Sequence, residues 1–150
     1  MKQDKTIASI DELITRLEEN IRPGRSKTRG LDIASIRRSI DPLEAPVFLE
    51  TLGGRVLSCN RAACEVYGYS YEEIIGLSVF DLIPIEVARI IPDLIVQQLH
   101  EQGMSVKAKG KHKDGRVFPT LVETRLINVD AEKRVLVMIR LLPEDEARTD

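Results

Sequence analysis

The chain has 150 residues, with 22 basic and 24 acidic side chains, a formal net charge of −2 and 43% hydrophobic residues. That length encloses a real core in one domain with a short appendage, and the balanced charge gives no global field toward a polyanion, which disfavours nucleic acid and anionic membrane. No apolar run reaches the length of a membrane span and the start MKQDKTIASIDELI lacks the basic-then-apolar order of a secretory signal, so a cytoplasmic location is expected.

Ser9 and Glu12 have the spacing of a capping box, and Ile10, Leu13, Ile14, Leu17 and Ile21 then recur at helical intervals. This amphipathic helix suits either a coiled-coil seam or a helix lying on the domain; two heptads do not decide between them. RPGRSKTRG, residues 22–30, has the composition of a solvated connector, with a DNA-contacting basic loop as the rival reading. LDIASIRRSI offers a second short helix capped by Asp32, with Ile33, Ile36 and Ile40 on one face, ended by Pro42 and Pro46.

From Pro46 the pattern changes. VFLETL, Gly53-Gly54 and RVLSC form a hairpin of two short strands. Asn60 caps the helix that follows, Ser70 caps another closed by Gly76, and VFDLIP adds a further helical turn. A longer helix is expected from Ile85 to Gln102, with Pro92 near its first turn. After Gly103 the period drops to two, with Val106 and Ala108 between charged neighbours, a turn at Asp114-Gly115, and two longer strands. Strands flanking a set of short helices predict an α+β domain, one antiparallel sheet with helices on one face.

Cys59 and Cys64, five positions apart, fit neither a zinc knuckle nor a thioredoxin-type pair. Both are expected to be partly or fully buried reduced thiols, without a functional disulfide, and no metal site is expected.

This order, with NRAACEVYGYSYEEIIGLSVFDLIP and HKDGRVFP, closely resembles the PAS sensory domain of the S-box type. The features that carry the likeness are Asn60 opening its helix, the Gly68-Tyr69 step, the helix from Tyr71 to Gly76, Pro84, and Lys113-Asp114-Gly115. The resemblance covers roughly Leu43 to Leu142. It implies a five-stranded antiparallel sheet in the order 2-1-5-4-3, helices packed on one face, and a small-molecule pocket between them. The organisation expected is an N-terminal helical arm and linker at 1–42, the PAS domain at 43–143 and a polar tail at 144–150.

The family's cofactor classes can be tested by residue. The flavin photosensor branch carries an Asn-Cys-Arg motif where this chain reads GLSVFDLIP, so a photoadduct flavin is not expected. The haem branch carries its histidine near the position of Ile91; His100 falls in the last turn of the long helix and His112 reads as solvated beside a turn, so haem is not expected either. The cofactor is left unassigned. By strand alternation carried over from the family, Thr120, Val122 and Thr124 on the fourth strand and Val135, Val137 and Ile139 on the fifth point into the pocket, with Ile91 and Leu94 facing them from the long helix. Two threonine hydroxyls on an apolar floor could orient an unidentified small molecule or simply bond to backbone, and both readings stand open.

Leu121, Leu136 and Met138 occupy the opposite face. With Ile10, Ile14, Leu17 and Ile21 they are expected to form a homodimer interface, unless the first helix covers its own sheet. Relatives leave the fifth strand through Asp-Ile-Thr, but this chain reads Leu141-Leu142-Pro143. Two explanations are open: the chain is cut from a longer protein, or it signals through its N-terminal helices. The function expected is a non-catalytic sensory module acting on an unknown effector. The rivals are a DNA-associated regulator using the 22–30 linker and an enzyme, which would need Cys64 or Glu123 without a neighbouring histidine.

Overall fold

The computed structural model describes residues 6–19, 31–92 and 103–144. Ile21, Leu94, His100, the 22–30 linker and all but the first residue of the 144–150 tail lie outside them. Elements run α1 (Ile10–Glu19), α2 (Ile33–Ile40), β1 (Val47–Glu50), β2 (Val56–Cys59), α3 (Arg61–Tyr67), α4 (Tyr71–Ile74), a 3₁₀ turn (Val79–Leu82), α5 (Ile85–Ala88), β3 (Gly103–Lys111), β4 (Val117–Val129) and β5 (Glu132–Leu141). The strands form one antiparallel five-stranded sheet ordered β2-β1-β5-β4-β3, as the resemblance implied.

The helix starts are built from the residues that sequence spacing singled out. The Ser9 hydroxyl accepts from the Glu12 N–H at 3.2 Å, Asp32 from Ser35 at 2.7 Å, and Ser70 and Glu73 cap α4 reciprocally. The expected long helix is interrupted. Its first segment ends at Ala88, a turn occupies Arg89 and Ile90, and helix resumes at Ile91. Pro92 explains the break, because it has no N–H for the Ala88 carbonyl and its ring would collide with that oxygen.

Asn60 joins three elements. Its Oδ1 accepts from the N–H groups of Val47 and Ala63, each at 3.0 Å, while Nδ2 donates to the carbonyls of Ile40 and Ala45, each at 2.9 Å. Both atoms of the buried carboxamide are used, and the end of α2, the start of β1 and the start of α3 are fixed together.

The sheet buries both faces. On one side Phe48, Val135, Val137 and Ile139 pack with Tyr67, Ile74 and Leu82 from the helices after β2. On the other, Val47, Leu49, Leu136 and Met138 pack with Ile10, Leu13 and Leu17 of α1 and Ile36 and Ile40 of α2, and Ile14 is half-buried against the same layer. The Arg125 guanidinium grips the Asp11 carboxylate at 3.0 and 3.2 Å, and Arg140 donates to the Ala8 carbonyl, which fixes the start of α1 on the strands.

Of the two arrangements left open by the sequence, the structure adopts the one in which the first helix lies on its own sheet. The apolar outer face is covered by the same chain's helices, so it does not require a second copy. Leu121 is half-buried and stands outside that layer.

Candidate functional site

Strand alternation brings the predicted pocket residues together. Thr120, Val122 and Thr124 of β4, Val135, Val137 and Ile139 of β5, and Ile91 after α5 all line one cavity of about 120 Å³. Its other walls include Phe48 and Glu50 of β1, Tyr67 of α3, Val79 and Leu82 of the 3₁₀ turn, Ile83 and Val87 around α5, and Met104, Val106 and Ala108 of β3. The lining is mostly apolar, and the volume is comparable to an engineered apolar cavity that holds benzene.

Two polar groups stand out in this wall. Thr124 Oγ1 is buried without a hydrogen-bond partner among the described residues. Glu50, only 7% exposed, has burial raise its pKa to about 8, with no neighbouring cation among the described residues offsetting the effect. Lys109 of β3 also lines the cavity, but is exposed to solvent. Near neutral pH Glu50 is therefore mostly the uncharged acid, able to donate one hydrogen bond into the cavity.

Sequence reasoning missed Glu50. It lies two residues from Phe48 on β1, so the alternation applied to β4 and β5 would have placed it on the same face.

The aromatic wall depends on a small residue. Tyr67 meets Phe48 edge-on at 5.4 Å and Phe118 at 5.2 Å. A Cβ on Gly110 would come within 2.6 Å of the Phe118 ring and 3.0 Å of the Tyr67 hydroxyl, so only glycine lets β3 pass this close. Burial, with Glu50 adding to it, holds the Tyr67 hydroxyl protonated.

The β3–β4 turn docks on the helices. The Lys113 N–H donates to the Tyr67 carbonyl at 2.9 Å, and Lys113 Nζ pairs with Glu73 at 2.6 Å. His112 is consequently not freely solvated as expected. Its half-buried ring lies over Gly68, where an added Cβ would meet it at 2.3 Å, and its Nδ1 accepts from the Asp114 N–H at 3.1 Å.

The thiols lie behind this wall. Cys59 is buried and Cys64 half-buried, both free thiols whose sulfurs share a hydrogen bond at 3.8 Å. Burial is the leading cause that pushes both pKa values up, so both are poor nucleophiles. Glu123 occupies the opposite sheet face, 3.9 Å from Arg140. Among the described residues no cluster of three His, Cys, Asp or Glu side chains could hold a metal, and no helix is long and apolar enough to cross a membrane.

A hairpin, a run of short helices and a three-stranded antiparallel return, closed around one apolar cavity, match the PAS fold over residues 34–141. The chain belongs to the PAS family. This PAS domain is 33% identical over 79 residues to phytochrome C of Sorghum bicolor, a match that covers 51% of this chain but 7% of that protein. It aligns with the PAS domain of a two-component sensor histidine kinase at a TM-score of 0.60 and 21% identity, covering 69% of this chain and 89% of that one. It also aligns with the ethanol-bound PAS domain of a LuxR-family transcriptional regulator from Burkholderia thailandensis, at a TM-score of 0.56 and 18% identity, covering 65% and 88%. PAS domains are typically non-catalytic modules of sensory and regulatory proteins.

Proposed function

We propose that this PAS domain is a non-catalytic sensory module that takes a small, mostly apolar molecule into the cavity between α5 and the inner faces of β4 and β5. The observation that carries the reading is the double use of two strands. β1 and β5 present Phe48, Val135, Val137 and Ile139 to the cavity side, and Leu49, Leu136 and Met138 to α1 and α2. A molecule that changes the strand packing therefore alters the seat of the N-terminal helices, and differential affinity for the two arrangements is all that a population shift requires. Output through α1 and α2 to an effector protein or a second copy follows from this placement.

Binding is favoured over catalysis by the composition of the wall. Among the described residues its titratable groups are Glu50, Tyr67 and Lys109, with no histidine or cysteine to form a nucleophile–base pair. The ethanol bound in the LuxR-family relative is a precedent for a small polar-headed guest in this fold.

The test is Val122→Trp, which fills the cavity from β4. Titration with small alcohols, followed by the methyl resonances of Val137 and Ile139, should show saturable shifts in the parent and none in the folded variant. Equal binding by both would place the ligand elsewhere.

A further inference from the structure

Resting on the reading of the cavity as a ligand site, we infer that its ligand class is a small primary amine, whose ammonium group sits against Glu50 on the wall formed with Phe48 and Tyr67. Glu50 reaches the cavity from β1 and has no side-chain hydrogen-bond partner among the described residues. The other titratable groups lining the cavity among the described residues are Tyr67 from α3, which stays neutral, and Lys109 from β3, whose side chain is exposed. The 3₁₀ turn and α5 contribute only apolar side chains to the wall, Val79, Leu82 and Val87. Among the described residues no cation therefore satisfies this carboxyl, and a cationic guest would supply what the wall lacks.

The rings strengthen the case. Phe48 and Tyr67 line the same cavity, and an ammonium beside a carboxylate also gains from the negative face of an aromatic ring. Thr124 Oγ1, buried and without a partner among the described residues, lies across β5 from the Glu50 region, in the Thr124↔Val137 and Glu50↔Val135 registers. It offers a hydrogen bond to a second polar group at the far end of the guest. Two sheet spacings separate β1 from β4, roughly 10 Å, which suits a compact molecule of cavity length.

Charge and protons balance without a co-reactant. Below about pH 8 Glu50 carries a proton. An amine entering as the neutral base takes that proton, and one entering as ammonium displaces it to solvent. Either route ends in an ammonium–carboxylate pair, and relative to the ammonium ion in water close to one proton is released at pH 7. Displacing that proton costs about tenfold in affinity at pH 7, one pH unit below the Glu50 midpoint. The affinity should therefore rise about tenfold per pH unit toward pH 8, then level until the amine itself deprotonates near pH 10.

The experiment compares three guests of one shape by calorimetry on the full chain: isoamylamine, isoamyl alcohol and isovalerate. In buffers of different ionisation enthalpy at pH 7, the amine should bind at least tenfold more tightly than the alcohol and release close to one proton. Isovalerate should bind weakest. In Glu50→Gln, close in shape to the neutral acid, the amine's advantage and the proton release should both vanish. An alcohol that matches the amine, or an amine preference that survives Glu50→Gln, would overturn the amine assignment while leaving the cavity as a ligand site. Failure of all three guests, with the cavity methyls unmoved, would remove the ligand site and the amine assignment together.

Discussion

Phe48 and Leu49, adjacent on β1, are each almost fully buried on opposite faces of the sheet, Phe48 in the core beside the cavity and Leu49 beneath α1 and α2. A strand of four residues thus belongs to two cores at once. Removing either cover leaves large apolar side chains in water, at roughly 1.5 to 3 kcal/mol for each.

The first expected outcome concerns the outer cover. A shortened chain beginning at Leu31 lacks Ile10, Leu13 and Leu17, and so loses the α1 part of the cover over the layer that holds Leu136 and Met138 while keeping α2. It should associate more strongly than the full chain in light scattering, and should melt at lower temperature. Weaker association than the full chain would show instead that α1 is a dimer contact rather than a cover for its own sheet.

Asn60→Ala should destabilise the fold by about 3 kcal/mol, because buried backbone groups of Val47, Ala63, Ile40 and Ala45 lose their partner together. Asn60→Asp should be no better. It keeps the two acceptor bonds but turns an oxygen toward the carbonyls of Ile40 and Ala45. Urea titration of the three proteins checks this, and an Asp variant of parent stability would mean that the donor half of the carboxamide contributes little.

The pH dependence of stability has a definite sign at Glu50. Its folded pKa of about 8 lies above the ordinary 4.5, so the folded chain holds a proton that the unfolded chain gives up between these values. The contribution is fully present below pH 4.5, is lost as pH rises through 8, and changes by at most about 1.4 kcal/mol per pH unit in between. Glu50→Gln lacks this slope. Its stability relative to the parent should increase steadily from pH 5 to 8, measured by denaturation at each pH; a constant difference would mean that Glu50 titrates normally.

Ala131→Gly should stabilise the domain by about 0.5 to 1 kcal/mol. The β4–β5 turn holds Asp130 at φ 51° and Ala131 at φ 66°, both in the left-handed region that a two-residue hairpin turn demands. Glycine adopts that conformation without the Cβ penalty. Thermal unfolding reads the effect, and a lower melting temperature would show that unfolded-chain entropy outweighs the relieved strain.

Much of the fold was legible because local rules and global order agree. The caps at Ser9, Asp32, Asn60 and Ser70, the period-two runs of β4 and β5, and the turn at Asp114-Gly115 are signals carried by a few adjacent residues. The inward positions from Thr120 to Ile139 came from that alternation only once the PAS resemblance said which face of the strands holds the pocket, and all of them line the cavity. Glu50 was missed because a carboxylate inside the strand VFLETL gives no local sign that it is buried. Its burial is decided by long-range pairing with Val135, which local pattern does not contain. The break before Pro92 turns on the geometry of one carbonyl. The destination of α1 depends on Arg125, more than a hundred positions away, and periodicity shows only that a helix has an apolar face, not which surface receives it.

β5 lies between β4, reached through the two-residue turn at Asp130 and Ala131, and β1, whose Val47 pairs with Met138. A hairpin of this kind closes in about 1 to 10 μs, whereas β1 must close a loop of some 90 residues before its pairing is rewarded. β1 should therefore dock late in folding, onto a hairpin already formed. Because that one strand completes both the Glu50 wall of the cavity and the Leu49 seat of the helices, guest chamber and helix seat come into being in the same step. Newly made chains should gain their sensing site and their means of reporting on it simultaneously, with no early species that has one and lacks the other.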